Sequence, residues 1–313
     1  MVVAVTEQLD LITGPVAKSI LRQAERTRLP SDFARVLRVL SENADITWKP
    51  FGGDNARVPH SALGAASDPA HLLAEPVMNS FDALFELMMK LTELSGNPPS
   101  IPASPREAAH LFYAVPPQGL ATWDARKGAA KRLHDKLAQL TKLILRRGSE
   151  AATPTITFWD EGLGQHPSDF WQTILSLQLG NKQDVPYTAG QYGHGAGMLL
   201  GFCNGGQVMI SRRHPKLRGD GQDDYAGLVL VRKRMPSEAR TVNPVYECAV
   251  SKRTGQPFAF APTALSNPQW HGLQRICIDY ELPKSSFQFI YDSLDYYLPQ
   301  PPLPYELRDE RNS

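Results

Sequence analysis

Three groups of residues have types and spacing suited to chemistry. Glu75, Asn79 and Asp82 stand at i, i+4 and i+7, which in a helix are offsets of about 40° and −20°, so all three project from one face. Taken alone, such a triplet is what the wet side of any amphipathic helix carries. Asp160 ends an apolar run and is followed by Gly162 and Gly164. A carboxylate there can accept from an amino group, and glycine lets a flat ring approach the backbone, although plain Asp-x-Gly turns are common. The third group is Gly190-Gln191-Tyr192-Gly193-His194-Gly195-Ala196-Gly197. Alternate glycines opening a helix expose N–H groups and a positive dipole end to an anionic phosphate chain, and the same pattern also describes a flexible loop with no ligand. The spacing is not that of a dinucleotide fingerprint. No GxxxxGK[ST] loop, HExxH helix or GxSxG elbow occurs, and the eight histidines form no ligand-spaced cluster.

The elements that must position these groups can be read from periodicity. Apolar residues recur at helical spacing from Val16 to about Arg26 and from Ser31 to Leu40, with Pro30-Ser31-Asp32 between them. Trp48 to Ser67 reads as loop. Asp68-Pro69 supplies an N-cap and first-turn proline for a long helix that carries the triplet towards Leu94. Its opposite stripe, including Leu73, Val77, Leu84 and Met88, should face the core. Ser104-Pro105-Arg106-Glu107 is a capping box opening a short helix. A longer helix is expected over 125–147, ended by Gly148, with eight Lys/Arg against Asp135 alone. That face is a solvated surface or a contact for a nucleic-acid backbone.

Beyond Gly148 the period changes. Strands are expected over 155–159, 207–212, 226–234, 245–252 and 273–281, with a helix over 169–179 and a final helix over 285–297. The tail from Leu298 to Pro304 reads as extended, linker-like chain. Helices first and then strands with few crossovers predict an α+β two-layer sandwich, a mostly antiparallel sheet with helices on one face.

The chain of 313 residues carries 33 Lys+Arg against 32 Asp+Glu, a net charge of +1, and 42% hydrophobic residues. These values describe a globular protein and give no global reason to expect nucleic acid. Cys203, Cys248 and Cys277 stand too far apart in sequence for a CxxC motif, and no signal peptide or membrane span is visible, so a cytoplasmic setting is expected.

In this order, E-x-x-x-N-x-x-D-A (Glu75, Asn79, Asp82, Ala83), D-x-G-x-G (Asp160, Gly162, Gly164) and G-Q-Y-G-x-G-x-G (Gly190 to Gly197) resemble the GHKL ATPases. These are the superfamily of type II topoisomerase ATPase domains, ninety-kilodalton heat-shock chaperones, histidine kinases and MutL-type proteins. The resemblance covers about residues 68–281. It implies the Bergerat-type ATP-binding fold, with ATP and Mg²⁺ as ligands. It implies that Glu75 is the general base for water attack on the γ-phosphate, that Asn79 binds Mg²⁺ and that Asp82 supports that end of the site. Asp160 would accept from the adenine amine, with Gly162 and Gly164 giving the base room. Gly190, Gln191, Tyr192, Gly193, His194, Gly195, Ala196 and Gly197 would form the lid around the phosphates, and Lys182 would add charge.

The resemblance divides the chain into a helical prelude (1–67), an ATP-binding domain (68–297, with a variable insert at 97–148 and a lid at 180–206) and a proline-rich linker (298–313) to a further domain. It implies slow ATP hydrolysis working as a conformational switch in a larger or self-associating protein, in DNA-related or defence processes. Glu75 and the Asp82-Ala83 ending favour the hydrolysing branches over the histidine kinases. Three departures accompany it: Pro76 directly follows the expected base, Gly272-Leu273 stands where many relatives have Gly-Thr, and no second-domain lysine is present. Pro76 and that lysine favour an alternative, a nucleotide-gated interaction module that binds ATP without hydrolysing it.

Overall fold

The β-branched alternation after Gly148 folds into one mixed sheet, to which both ends of the chain contribute. The computed structural model describes residues 9–52, 68–96, 100–176, 185–189, 195–219 and 222–312. In chain order the elements are β1 (Asp10–Ile12), α1 (Gly14–Glu25), α2 (Pro30–Ser41), β2 (Ile46–Pro50), α3 (Ala74–Leu94), α4 (Pro105–Tyr113) and α5 (Gly128–Ala138). They continue with β3 (Thr141–Arg146), β4 (Thr155–Asp160), α6 (Gly195–Met198), β5 (Gln207–Arg212), β6 (Ala226–Arg234) and α7 (Pro236–Ala239). Last come β7 (Val245–Ser251), β8 (Phe258–Phe260), β9 (Gly272–Cys277), α8 (Phe287–Tyr297) and β10 (Glu306–Asp309).

The ten strands form a sheet in the order β1-β8-β6-β5-β9-β4-β3-β10, with β7 also on β6 and β2 on β7. Only the two outermost pairings, β1 with β8 and β10 with β3, are parallel. The protein is therefore mixed α/β with a mostly antiparallel open sheet, as expected.

Side-chain alternation divides two cores between the faces. Cys277, Ile156 and Phe158 point to the face covered by α3, α4 and α8, where Phe81, Phe85, Ile290 and Leu294 complete the packing, and on the same face Met209 and Val229 pack with Phe51, Phe170 and Leu200. Val208, Ile210, Leu228, Leu230 and Ile276 point the other way, against Ile20, Leu21 and Ala24 of α1 and Phe33, Val36 and Leu40 of α2. Helices thus cover both faces, not one. The prelude helices account for the difference: their apolar stripes fill the face that a two-layer sandwich would leave wet.

Other differences are local. The helix expected over 125–147 ends at Ala138, and Thr141–Arg146 is β3, paired antiparallel with β4. The basic residues of that stretch do not share one helical face. Lys142 lies over the Trp159 ring at 4.0 Å, and Arg146 bonds Thr157 and Glu310. The ground for a nucleic-acid contact along a 125–147 helix is thereby lost. Trp48 belongs to β2, which pairs with β7. Residues 167–172 form a 3₁₀ helix, whereas an α-helix was expected there, and 306–309, read as linker, form an edge strand. Among the described residues no helix is long and apolar enough to cross a membrane.

Candidate functional site

Helix α3 begins with the first turn that its sequence dictates. Asp68 Oδ1 accepts from the Ala70 N–H at 2.9 Å, a 3₁₀ turn follows at His71–Leu73, and the α-helix starts at Ala74. Pro76 is therefore in the first α-turn, where backbone N–H groups have no intrahelical acceptor. The proline completes a junction and does not break a helix. Glu75, beside it, lies in that same turn, half-buried.

The triplet is not a wet face. Asp82 has 0% exposure, and Glu75 and Asn79 are half-buried. Burying a carboxylate costs several kcal/mol unless donors meet it. Asp82 Oδ1 accepts from the Ala189 N–H at 2.8 Å, which ties the segment just before Gly190 to the middle of α3. Helix α6 packs on α3 as well. Lys182 and Gly190, Gln191, Tyr192, Gly193 and His194 lie outside the described residues. Gly195, Ala196 and Gly197 open α6, and Gly197 is buried.

Asp160, at the end of β4, is 4% exposed and held from three sides. Its Oδ1 accepts from the N–H groups of Gly162 (2.9 Å) and Leu273 (3.2 Å), and its Oδ2 from the Ser80 hydroxyl (3.3 Å). The single Ser80 proton is shared between that carboxylate and the nearer Pro76 carbonyl at 2.8 Å. Leu273 thus serves the site through its backbone N–H. Ser80 is a site residue that sequence reasoning missed. A serine between Asn79 and Phe81 gives no signal until the helix is laid against β4.

The loop after Asp160 runs against α3. A Cβ on Gly162 would stand 2.6 Å from the Ala83 Cβ, and the Leu163 N–H donates to the Ala83 carbonyl at 3.0 Å. Gly164 has φ +63°, and a Cβ there would lie 1.8 Å from the Arg212 carbonyl oxygen. Both glycines are therefore required by the protein's own packing. The D-A ending of the first motif and the D-x-G-x-G of the second meet through Ala83 and Gly162, although 78 residues separate them in sequence.

A second layer fixes this loop. Arg212 is buried and makes a bidentate pair with Asp224 at 2.9 Å, while its Nη1 donates to the carbonyls of Pro268 and Trp270. Trp270 Nε1 in turn donates to the Asp160 carbonyl at 3.0 Å, and His271 Nδ1 donates to the Gly162 carbonyl at 2.8 Å. His214 meets His271 edge-on with ring centroids 4.5 Å apart. Burial, then the neighbouring His271, Lys216 and Arg212, push the His214 imidazole down to about 4, so it is neutral at pH 7.

The structure therefore brings Asp82, Asp160, Gly162 and Gly164 to one region between α3 and the β4–β9 end of the sheet, with Glu75 and Asn79 on the same helix. Among the described residues no three His, Cys, Asp or Glu side chains converge as a metal cage. In comparisons with known proteins, no family model and no curated protein matches this chain.

Proposed function

We propose that this protein binds ATP with Mg²⁺ at the junction of α3 and the end of β4, in a site of the GHKL type on a Bergerat-like sheet, and hydrolyses it slowly as a conformational switch. The observation that carries the reading is the meeting of two distant motifs. A buried carboxylate at Asp160, braced by Leu273, Gly162 and Ser80, faces the helix that bears Glu75, Asn79 and Asp82. Structural burial alone gives no reason to bury two carboxylates, Asp82 and Asp160, at a helix–sheet junction whose helix also carries Glu75 and Asn79.

In this reading Asp160 accepts the exocyclic amine of adenine, which its two backbone donors preorganise without supplying a competing cation. Glu75, in the first turn of α3, orients and deprotonates the water that attacks the γ-phosphate. Asp82 ties Ala189, just before the glycine-rich motif, to α3 by accepting from its N–H. The donor set fits Mg²⁺: the α3 face offers only oxygen ligands, and this ion takes one or two protein oxygens and completes its shell with phosphate and water. Asn79 is the residue that would hold it, and the bound metal would neutralise charge on the phosphates. Because Pro76 lies in the first turn, it gives no ground for preferring the binding-only alternative.

The test is a thermal shift with ATP and Mg²⁺ on the wild type, Asp160→Asn and Glu75→Ala, with turnover measured in parallel. We expect a stabilising shift in the wild type, its loss in Asp160→Asn, and a retained shift with at least about a hundredfold slower turnover in Glu75→Ala. No shift in the wild type overturns ATP binding, and unchanged turnover in Glu75→Ala overturns the assigned base. Retained binding with no turnover in any form leaves the binding-only switch as the function.

A further inference from the structure

On the face of the sheet opposite the candidate site, α1 and α2 enclose a groove of about 550 Å³ whose walls are basic. Lys18 and Arg22 on the solvent side of α1 and Arg26, its C-cap, stand at i, i+4 and i+8, all exposed, and Arg35 of α2 faces them across the groove. The arrangement follows from the sequence: Ala17, Ile20, Leu21 and Ala24 use the sheet side of α1, so every cation on the helix is turned outwards.

Lys18, Arg22 and Arg26 keep their charge uncancelled, whereas Arg35 is paired with the acid of the wall. The acid on the wall is Asp32, whose Oδ2 already accepts from the N–H groups of Arg28 and Leu29 at 3.1 Å, with Arg35 3.6 Å from its Oδ1. Glu25, the acid of α1, is bonded to the backbone and hydroxyl of Ser266. Among the described residues no carboxylate lies within ion-pair distance of Lys18, Arg22 or Arg26.

We propose that the α1–α2 groove binds the sugar–phosphate backbone of a nucleic acid. Four residues of helix rise about 6 Å, so the three α1 cations span about 12 Å. At about 3.4 Å of duplex axis per phosphate on each strand, that length faces three to four phosphates. Three of the four cations are arginines, whose planar forks pair with phosphate oxygens in bidentate fashion. Pro15 is the apolar residue of the walls, so a folded protein partner would find no hydrophobic centre of the kind that anchors protein interfaces. Such a groove reads charge and spacing and makes no contact with base edges, so binding is independent of sequence. The surface is separate from the 125–147 segment, whose cations the fold disperses.

The experiment is fluorescence anisotropy of the full chain with a labelled duplex of about 20 base pairs, titrated between about 50 and 200 mM salt. The wild type should bind with a log–log salt slope of about −3 to −4, the value for four neutralised phosphates. The variant Lys18→Ala/Arg22→Ala/Arg26→Ala should bind at least about tenfold more weakly, with a slope shallower by about 2 to 3. Arg22→Lys/Arg26→Lys, which keeps the charge and serves as the folding control, should retain most of the salt slope. Lys131→Ala/Arg132→Ala/Lys136→Ala on α5 should behave as the wild type. Absence of salt-dependent binding by the wild type overturns the proposal, as does loss in the α5 variant with none in the α1 variant. Equal competition by poly-glutamate also overturns it, in favour of an acidic protein segment.

Discussion

At Gly164, φ +63° and an Arg212 carbonyl oxygen 1.8 Å from the place of a Cβ leave no side chain an acceptable position. Gly164→Ala must move either the loop that carries Gly162 or the end of β5. We expect it to cost about 2–4 kcal/mol in urea unfolding at unchanged slope; a cost under about 1 kcal/mol would show that the loop yields freely. His214 gives a second residue-level expectation. Its folded-state value of about 4 lies below the usual 6.5, so above pH 6.5 it is neutral in both states. As pH falls from 6.5 towards 4 the unfolded chain takes up the proton first, and stability declines across that window. His214→Asn keeps an acceptor for the Lys216 N–H, which His214 Nδ1 meets at 3.2 Å, and removes the titration. Thermal melts of this variant should be flatter between pH 6.5 and 4 than those of the wild type, and equal slopes would remove His214 as a source of acid sensitivity. His166, also held down by burial, contributes a remaining slope of the same sign.

At the scale of elements, the junction at the start of α3 makes a prediction of sign. A proline in a helix interior costs about 3 kcal/mol, so replacing it there with alanine would stabilise the protein by that amount. Pro76 is instead buried in the first α-turn, so Pro76→Ala should destabilise by about 0.5–1.5 kcal/mol, through a freer unfolded chain and lost packing. Measured stabilisation would mean the helix is strained at that point. The start of α4 was legible in sequence because its signal is local: Ser104 caps the Glu107 N–H, as the capping box requires. The second half of the 125–147 stretch was not. Leu133, Leu137, Leu140 and Ile144 keep a helical spacing across the boundary, and the strand reading of Thr141 to Arg146 wins only because β4 and β10 are available on either side of it. β1 and β2, of three and five residues, depend in the same way on partners about 250 and 200 residues away, β8 and β7. The site residues Asp82 and Asp160 could be picked out from their motifs. Their burial could not, because it arises from α3 lying across the end of β4, the contact that also brings Ser80 to the site, while Trp270 comes to Asp160 from the turn before β9.

At the scale of the whole molecule, both terminal regions are built into the sheet, and this bears directly on the residues expected to be a linker. Leu303 is 1% exposed within the core that also contains Phe81, Ile290 and Leu294, and Tyr305 packs on Phe81 with ring centroids 6.3 Å apart. Beyond them β10 runs parallel to β3 from Glu306 to Asp309, and Glu310 bonds Arg146 at 3.2 Å. A true linker could be altered with little consequence. Here Leu303→Ala should cost about 2–4 kcal/mol, the range for emptying a buried leucine site. A chain shortened after Pro299 should lose more, since β3 would become an open edge and the α3–α8 core would lose its outer wall. Both changes fall on the face of the sheet that carries Asp82 and Asp160, whereas the α1–α2 groove lies on the other. The two surfaces therefore make separable demands. Leu303→Ala should weaken the thermal shift expected from the proposed ATP site along with stability, while leaving the proposed salt-dependent duplex binding near the wild-type value at temperatures where the protein remains folded. Parallel loss of both ligands under those conditions would mean that the sheet transmits the perturbation from one face to the other, and the two sites would then have to be treated as coupled.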